Sequence, residues 1–360
     1  GPTFTPCLLP LTNRYNSFMN RRLIVSTVCA LTVSIAAPII ADDGLETFTA
    51  RYISLSVQGD LAAAQALFQD SRWADEPAVI NLNEQFRERF LVSVNHGEAP
   101  FADAVVAAYR NYWNASLFDP SESTAQETIL RARIDELLDE GAPVPADPEL
   151  DTFQHLQRTL RDQGLYVLES PSPPLRDLFV WRNETSRPYQ VTLSDTRVDV
   201  DVRFIDDFML QGWKDHASLG LASTTGWVDD GVLYCLSWAY DTTSENFDVS
   251  FLKHEARHLV DLERFPDMTT EELEYRAKLT ELVHASRSME RLLNDFTDKA
   301  ALNPDSAHAM ANWRVIRDIY WLLNDEEMPE PFRRWSRVDV TSANRAALEL
   351  LQASTRRHGG

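Results

Sequence analysis

The pentad His254-Glu255-Ala256-Arg257-His258 constrains this chain more than any other feature. Histidines four residues apart share a face on an α-helix, so using the pair to ligate a metal dictates a helix here. Both imidazoles can then meet one ion, and Glu255, next along the turn, can take a proton from water that the ion activates. The flanks suit a helix. Val249, Leu252, Ala256, Leu259 and Val260 form an apolar stripe beside the histidines, Asp248 is placed to cap the start, and Pro266 stops the helix just past Arg264. The pentad is expected in mid-helix.

A catalytic zinc ion takes three protein ligands and leaves a fourth position open. The acidic stretch after the pentad can supply the third. Thr269 and Glu272 have the spacing of a capping box, so a second helix is expected to start there. Leu279, Leu282, Ser286, Met289, Leu293 and Phe296 continue it as one long buried stripe. Glu271 and Glu272 fall in its first turn, where the helix dipole favours carboxylates. Glu274 and Glu281 lie on nearly the same face, and either can complete the site.

With HExxH followed by a glutamate on a second helix, the chain resembles the gluzincins, the thermolysin-like zinc metallopeptidases, over about residues 225–285. The resemblance favours Glu274, because the ligand glutamate of that family has a small residue three positions on, and Ala277 stands there. An Asp four positions on usually supports a histidine ligand, and this chain has Lys278 instead. The resemblance implies one Zn²⁺ per chain held by His254, His258 and Glu274, with Glu255 as general base and a peptide or protein as substrate. The family also gives the stabilisation of a tetrahedral oxyanion to a His, Tyr or Arg. His284, His308, Tyr275 and Arg276 are the residues weighed for that role; each also reads as structural or surface, and none is placed in the expected site.

Upstream, Val198, Val200, Val202 and Phe204 alternate with polar residues, a strand with one buried face. Residues 219–228 and 232–240 flank Asp229-Asp230-Gly231, a hairpin signal. An edge strand for an extended substrate is expected at Gly226-Trp227-Val228 or Val232-Leu233-Tyr234-Cys235. Before this, helical stripes dominate. Leu45, Phe48, Tyr52 and Leu55 form one that ends at Gly59, Asp60 caps 61–68, and Val105, Tyr109, Tyr112 and Trp113 mark another. A capping box at Thr124 and Glu127 opens a helix closing at Gly141, and Phe153, Leu156 and Leu160 form a stripe stopped by Gly164. Breaks fall at 141–145 and 170–174, strands from about 179, and later helices at 306–323 and 342–354.

The expected fold class is α+β, mostly α: a helical N-terminal lobe plus a small antiparallel sheet packed on a zincin-like pair of metal-binding helices. The boundaries read as an upstream segment 1–18, a signal peptide 19–41, the helical lobe 42–168, the metallopeptidase-like core 176–325, and a tail with a helix, 326–360. The leader has Arg21 and Arg22 before an uncharged apolar run and small Ala41 before Asp42 and Asp43. Its removal takes Arg14, Arg21 and Arg22 and no acid from a chain with 34 basic and 55 acidic residues. The mature chain is then more negative than the full-length net charge of −21. Nucleic acid and anionic lipid are poor partners for it, and no stable membrane insertion is expected after cleavage. Of three cysteines, Cys7 and Cys29 lie in the leader and Cys235 stands alone, which excludes an internal disulfide or thiolate metal site in the mature chain. The sequence predicts a periplasmic or secreted zinc-dependent metallohydrolase, a peptidase. The alternative is a non-catalytic binding or scaffold protein retaining the metal site.

Overall fold

The computed structural model describes residues 43–92, 99–141, 150–302, 306–329 and 332–359. The expected leader, with Cys7 and Cys29, lies outside them, as does most of the break at 141–145. Among the described residues six α-helices come first: α1 (Asp43–Val57), α2 (Leu61–Ala66), α3 (Pro77–Phe90), α4 (Phe101–Phe118), α5 (Ser123–Gly141) and α6 (Thr152–Asp162). Their apolar stripes meet in one core, where Phe48, Tyr52, Tyr109, Trp113, Leu156 and Leu160 are wholly buried. Asp60 caps α2 through the Ala63 N–H, and Asp151 with Gln154 forms a capping box on α6. The capping box expected at Thr124 and Glu127 does not form. Asp119 caps a preceding 3-10 turn instead, and Glu127 reaches Arg176 at 3.3 Å.

The strands are β1 (Tyr166–Ser172), β2 (Leu175–Thr192), β3 (Arg197–Gln211), β4 (Gly226–Asp229) and β5 (Val232–Leu236), in the order β1-β2-β3-β5-β4. Strand structure thus begins at Tyr166, ahead of the expected position near 179. Residues 170–172, read as a break because of their prolines, are strand. Pro171 and Pro173 punctuate this first hairpin, and β1 is an edge strand, where a missing N–H is tolerated. The inner ends of β1 and β2 pack into the same core as the N-terminal helices through Val167, Leu175, Leu178 and Val180.

The sheet is mixed, where an antiparallel one was expected: β5 runs parallel to β3. After β3 the chain makes the short helix α7 (Gly212–Ala217) and enters at the far edge as β4. It then turns back at Asp230 and Gly231, both at positive φ, to insert β5 between β4 and β3. Positive φ at both central residues is the two-residue hairpin turn that an Asp-Gly pair favours. Of the two segments expected as an edge, only β4 is one.

One sheet face, with Val202, Phe204, Val228, Leu233 and Cys235, packs on the helical unit that carries the pentad. That unit begins as a π-helical segment, Phe247–Lys253, and continues as α8 (His254–Arg264), ending before Pro266 as expected. Asp248 is not its cap. Ser244 takes that role, its hydroxyl accepting the Phe247 N–H at 3.1 Å, while Asp248 pairs with Lys253. Gly226 lets sheet and π-segment touch: a Cβ there would sit 2.5 Å from the Phe251 ring.

The next helix, α9 (Thr270–His284), is surrounded by α8, α11 (Ala307–Asn324) and α12 (Val340–His358), and residues 272–282 are all buried. Thr269 caps it, but Glu272 turns away to Arg314 and Ser354, so only half of the capping box forms. The expected long helix breaks after His284 and resumes as α10 (Met289–Asp298). The cause is Glu245, whose carboxylate accepts the backbone N–H groups of Ser286, Arg287 and Ser288. No helix among the described residues is long and apolar enough to cross a membrane.

His216 on α7 is 4% exposed, with Nε2 2.7 Å from Asn114 Oδ1. Burial, helped by the charges of Arg89 and Arg110, pushes its pKa down to about 3. A folded value below the unfolded one of roughly 6.5 gives stability that is complete above that pH. It is lost as the pH falls toward 3, at about 1.4 kcal/mol per pH unit. Between pH 6.5 and 5 the thermal midpoint of His216→Gln should therefore fall less than that of the wild type. Parallel declines, followed by circular dichroism, would remove His216 from the acid response.

Candidate metal centre

His254 opens α8 directly after the π-segment, and His258 follows one turn later on the same face. α9 crosses this face and brings Glu274 against both rings. His254 Nε2 and His258 Nε2 are 3.1 Å apart. Glu274 Oε1 is 3.3 Å from His258 Nε2, and Glu274 Oε2 is 3.7 Å from His254 Nε2. Metal–ligand bonds of about 2.0–2.2 Å in tetrahedral geometry give ligand–ligand edges of about 3.3–3.6 Å. The three residues are wholly buried and can hold a metal ion.

Glu281, the rival for third ligand, has a different place. Its Oε1 accepts the Nδ1–H of His254 at 2.7 Å, which turns Nε2 toward the other donors. A carboxylate behind a ligating imidazole fixes its tautomer and raises its basicity. Burial alone would lower the pKa of His254, but the hydrogen bond to Glu281 and the nearby carboxylates reverse this and raise it. The support absent at Lys278 is thus supplied one helical turn further along α9. Glu281→Gln should weaken metal affinity about 10–100-fold, whereas Glu274→Gln should lose the ion. Competition with a chromophoric chelator measures both, and the reverse order would exchange the two roles.

Burial alone would raise the pKa of Glu274, but the rings of His308 and His258 outweigh it and hold the carboxyl well below the usual range. His308 Nδ1, from the first turn of α11, is 2.8 Å from Glu274 Oε2, and its side chain is 30% exposed. It touches the proposed third ligand and is the most solvent-accessible residue of the cluster. Lys278 Nζ lies 3.9 Å from Glu274 Oε2, over the Phe296 ring. Glu255 is wholly buried on the sheet side of α8; its charge acts on His254 and, after burial itself, helps to push the Cys235 thiol up.

The other residues weighed in the sequence fall elsewhere. Arg276 grips Asp261 with two nitrogens at 2.7 and 2.9 Å and also reaches Ser354 and Thr355 on α12. Arg257 joins the same Asp261 at 2.8 Å. This buried ionic knot ties α8 to α9 one turn from His258 and so fixes the spacing of the candidate ligands. The Tyr275 hydroxyl donates to Asp318, and His284 lies near Lys253 and Asp248 at the end of α9. The contacts of Glu281 and His308 were not assigned from sequence; the heptad spacing of Glu274 and Glu281 was the available signal for the first.

Comparison with family models, curated proteins and solved structures finds no match for this chain.

Proposed function

We propose that this protein is an exported zinc-dependent metallohydrolase, and specifically a peptidase of gluzincin-like chemistry. The observation that carries the reading is the meeting of His254 Nε2, His258 Nε2 and the Glu274 carboxylate at 3.1–3.7 Å in a wholly buried cluster. When bound, zinc lowers the pKa of water to about 7 and polarises a carbonyl oxygen.

The chain's own groups do the rest. His254 and His258 would present their Nε2 atoms to the ion, the first oriented by Glu281 at its Nδ1. Glu274 supplies the anionic ligand. Glu255, the residue after His254, accepts the proton of the attacking water and delivers it to the departing amine, so that the amide C–N bond breaks as the new C–O bond is kept. His308, its side chain 30% exposed, lies 2.8 Å from Glu274 and positions it.

Complete burial of His254, Glu255, His258 and Glu274 favours one second reading, a binding protein that keeps the metal without turning over a substrate. Zinc-loaded protein incubated with a broad peptide library, with products read by mass spectrometry, separates the two. The peptidase reading expects selective cleavage that disappears with a chelator and returns with zinc. A library left intact by zinc-loaded protein would favour the binding reading.

A further inference from the structure

The three candidate ligands lie behind packed structure. Residues 254–258 on α8 and 272–282 on α9 are all buried, and the sheet face against the pentad helix is closed by the buried Leu233 and Cys235. Among the described residues, Glu281, Lys278 and His308 make polar contact with the ligands, at 2.7, 3.9 and 2.8 Å. The side chains of Glu281 and Lys278 are 2% exposed, and that of His308 is 30% exposed. Of these three, His308 alone opens to solvent. Its Nδ1 is buried against Glu274 Oε2, so the exposed surface belongs to the rest of the side chain. One residue thus runs from solvent to an oxygen of the proposed third ligand.

A buried site fills only when something moves. Parting α8 from α9 would break the ionic knot of Arg257, Asp261 and Arg276, all wholly buried. Ser306 caps α11 by accepting the Ala309 N–H at 3.3 Å, which holds the start of that helix. Turning the His308 ring about its own side-chain bonds is a far smaller movement, of a kind that partly exposed side chains make within nanoseconds, and it uncovers Glu274. We propose that the His308 side chain is the gate through which a divalent ion such as zinc enters and leaves this centre. The inference rests on the metal reading above and adds how the site is filled. A group that only obstructs raises the barrier equally in both directions and leaves the free and bound states alone. Its contact with Glu274 lets His308 bias affinity as well, so a common factor in both rates is the mark of the gate.

The test times zinc uptake and release on the full-length protein by stopped-flow exchange with a chromophoric chelator. His308→Ala and His308→Ser should each speed both uptake and release about tenfold or more. Kd should move far less than either rate, and circular dichroism should be unchanged. His308→Phe, which keeps the bulk of the ring, should stay nearer to the wild type than either small variant. The gate is overturned if the wild type and both small variants exchange one zinc at the same rates. It is also overturned if release alone speeds up, which would make His308 a group that only stabilises the bound ion. Wild-type protein that takes up no zinc overturns the metal centre itself, and the gate with it.

Discussion

Replacing either His254 or His258 with alanine is expected to reduce bound zinc from about one ion per chain to a trace. Two remaining ligands cannot hold a catalytic zinc tightly, and among the described residues no other side chain joins the converging group. His308 is the nearest candidate, but it meets Glu274 Oε2 at 2.8 Å and lies outside the converging group of His254, His258 and Glu274. The loss should also appear as stability. Ligand binding stabilises the native state by about 2.7 kcal/mol when free ligand is a hundred times its Kd, so adding zinc should raise the thermal midpoint of the wild type. The same addition should leave His258→Ala unmoved. A variant that still gains stability from zinc would place the ion elsewhere.

The second large effect concerns turnover. Glu255→Gln retains size and hydrogen-bonding capacity and removes the base, so metal content and thermal midpoint should stay near those of the wild type. Peptide cleavage should drop by about two to four orders of magnitude, the usual scale for general acid–base catalysis. The contrast with His258→Ala is the informative part: one variant loses the metal, the other keeps it and loses the chemistry. Undiminished cleavage by Glu255→Gln would assign the activity to another group.

Local signals carried most of the helices. Apolar residues at helical spacing, with Asp60 as the cap of the first, mark α2, α6 and α11 within a few residues of their observed ends. The hairpin at Asp230 and Gly231 was legible for the same reason, because its turn chemistry is local. The errors are tertiary. Glu245 interrupts what reads as one long stripe from Leu279 to Phe296 by reaching across 41 residues to Ser286. The parallel pairing of β3 with β5 depends on where the chain re-enters the sheet, which no strand's own pattern encodes. The π-helical start of the pentad helix lies against Gly226 and the sheet, a contact between segments distant in sequence.

At the candidate site the sequence supplied the residue types and the helical spacing. It left Glu274 and Glu281 as rivals because both occupy nearly one face of α9. Only the crossing of α8 over α9 separates them, bringing Glu274 to the two Nε2 atoms and Glu281 to the back of His254 at 2.7 Å. Lys278, which departs from the gluzincin pattern, is buried with its Nζ 3.9 Å from Glu274 Oε2.

X-ray absorption at the zinc edge, on full-length protein purified without chelator and given one equivalent of zinc, tests the metal centre most directly. The expected spectrum has a first shell of nitrogen and oxygen at about 2.0–2.2 Å, imidazole scattering from two rings, and no sulfur near 2.3 Å. In Glu274→Gln that shell should be lost. Protein that takes up no zinc, or a zinc shell without imidazole that Glu274→Gln leaves unchanged, would contradict a site built from His254, His258 and Glu274.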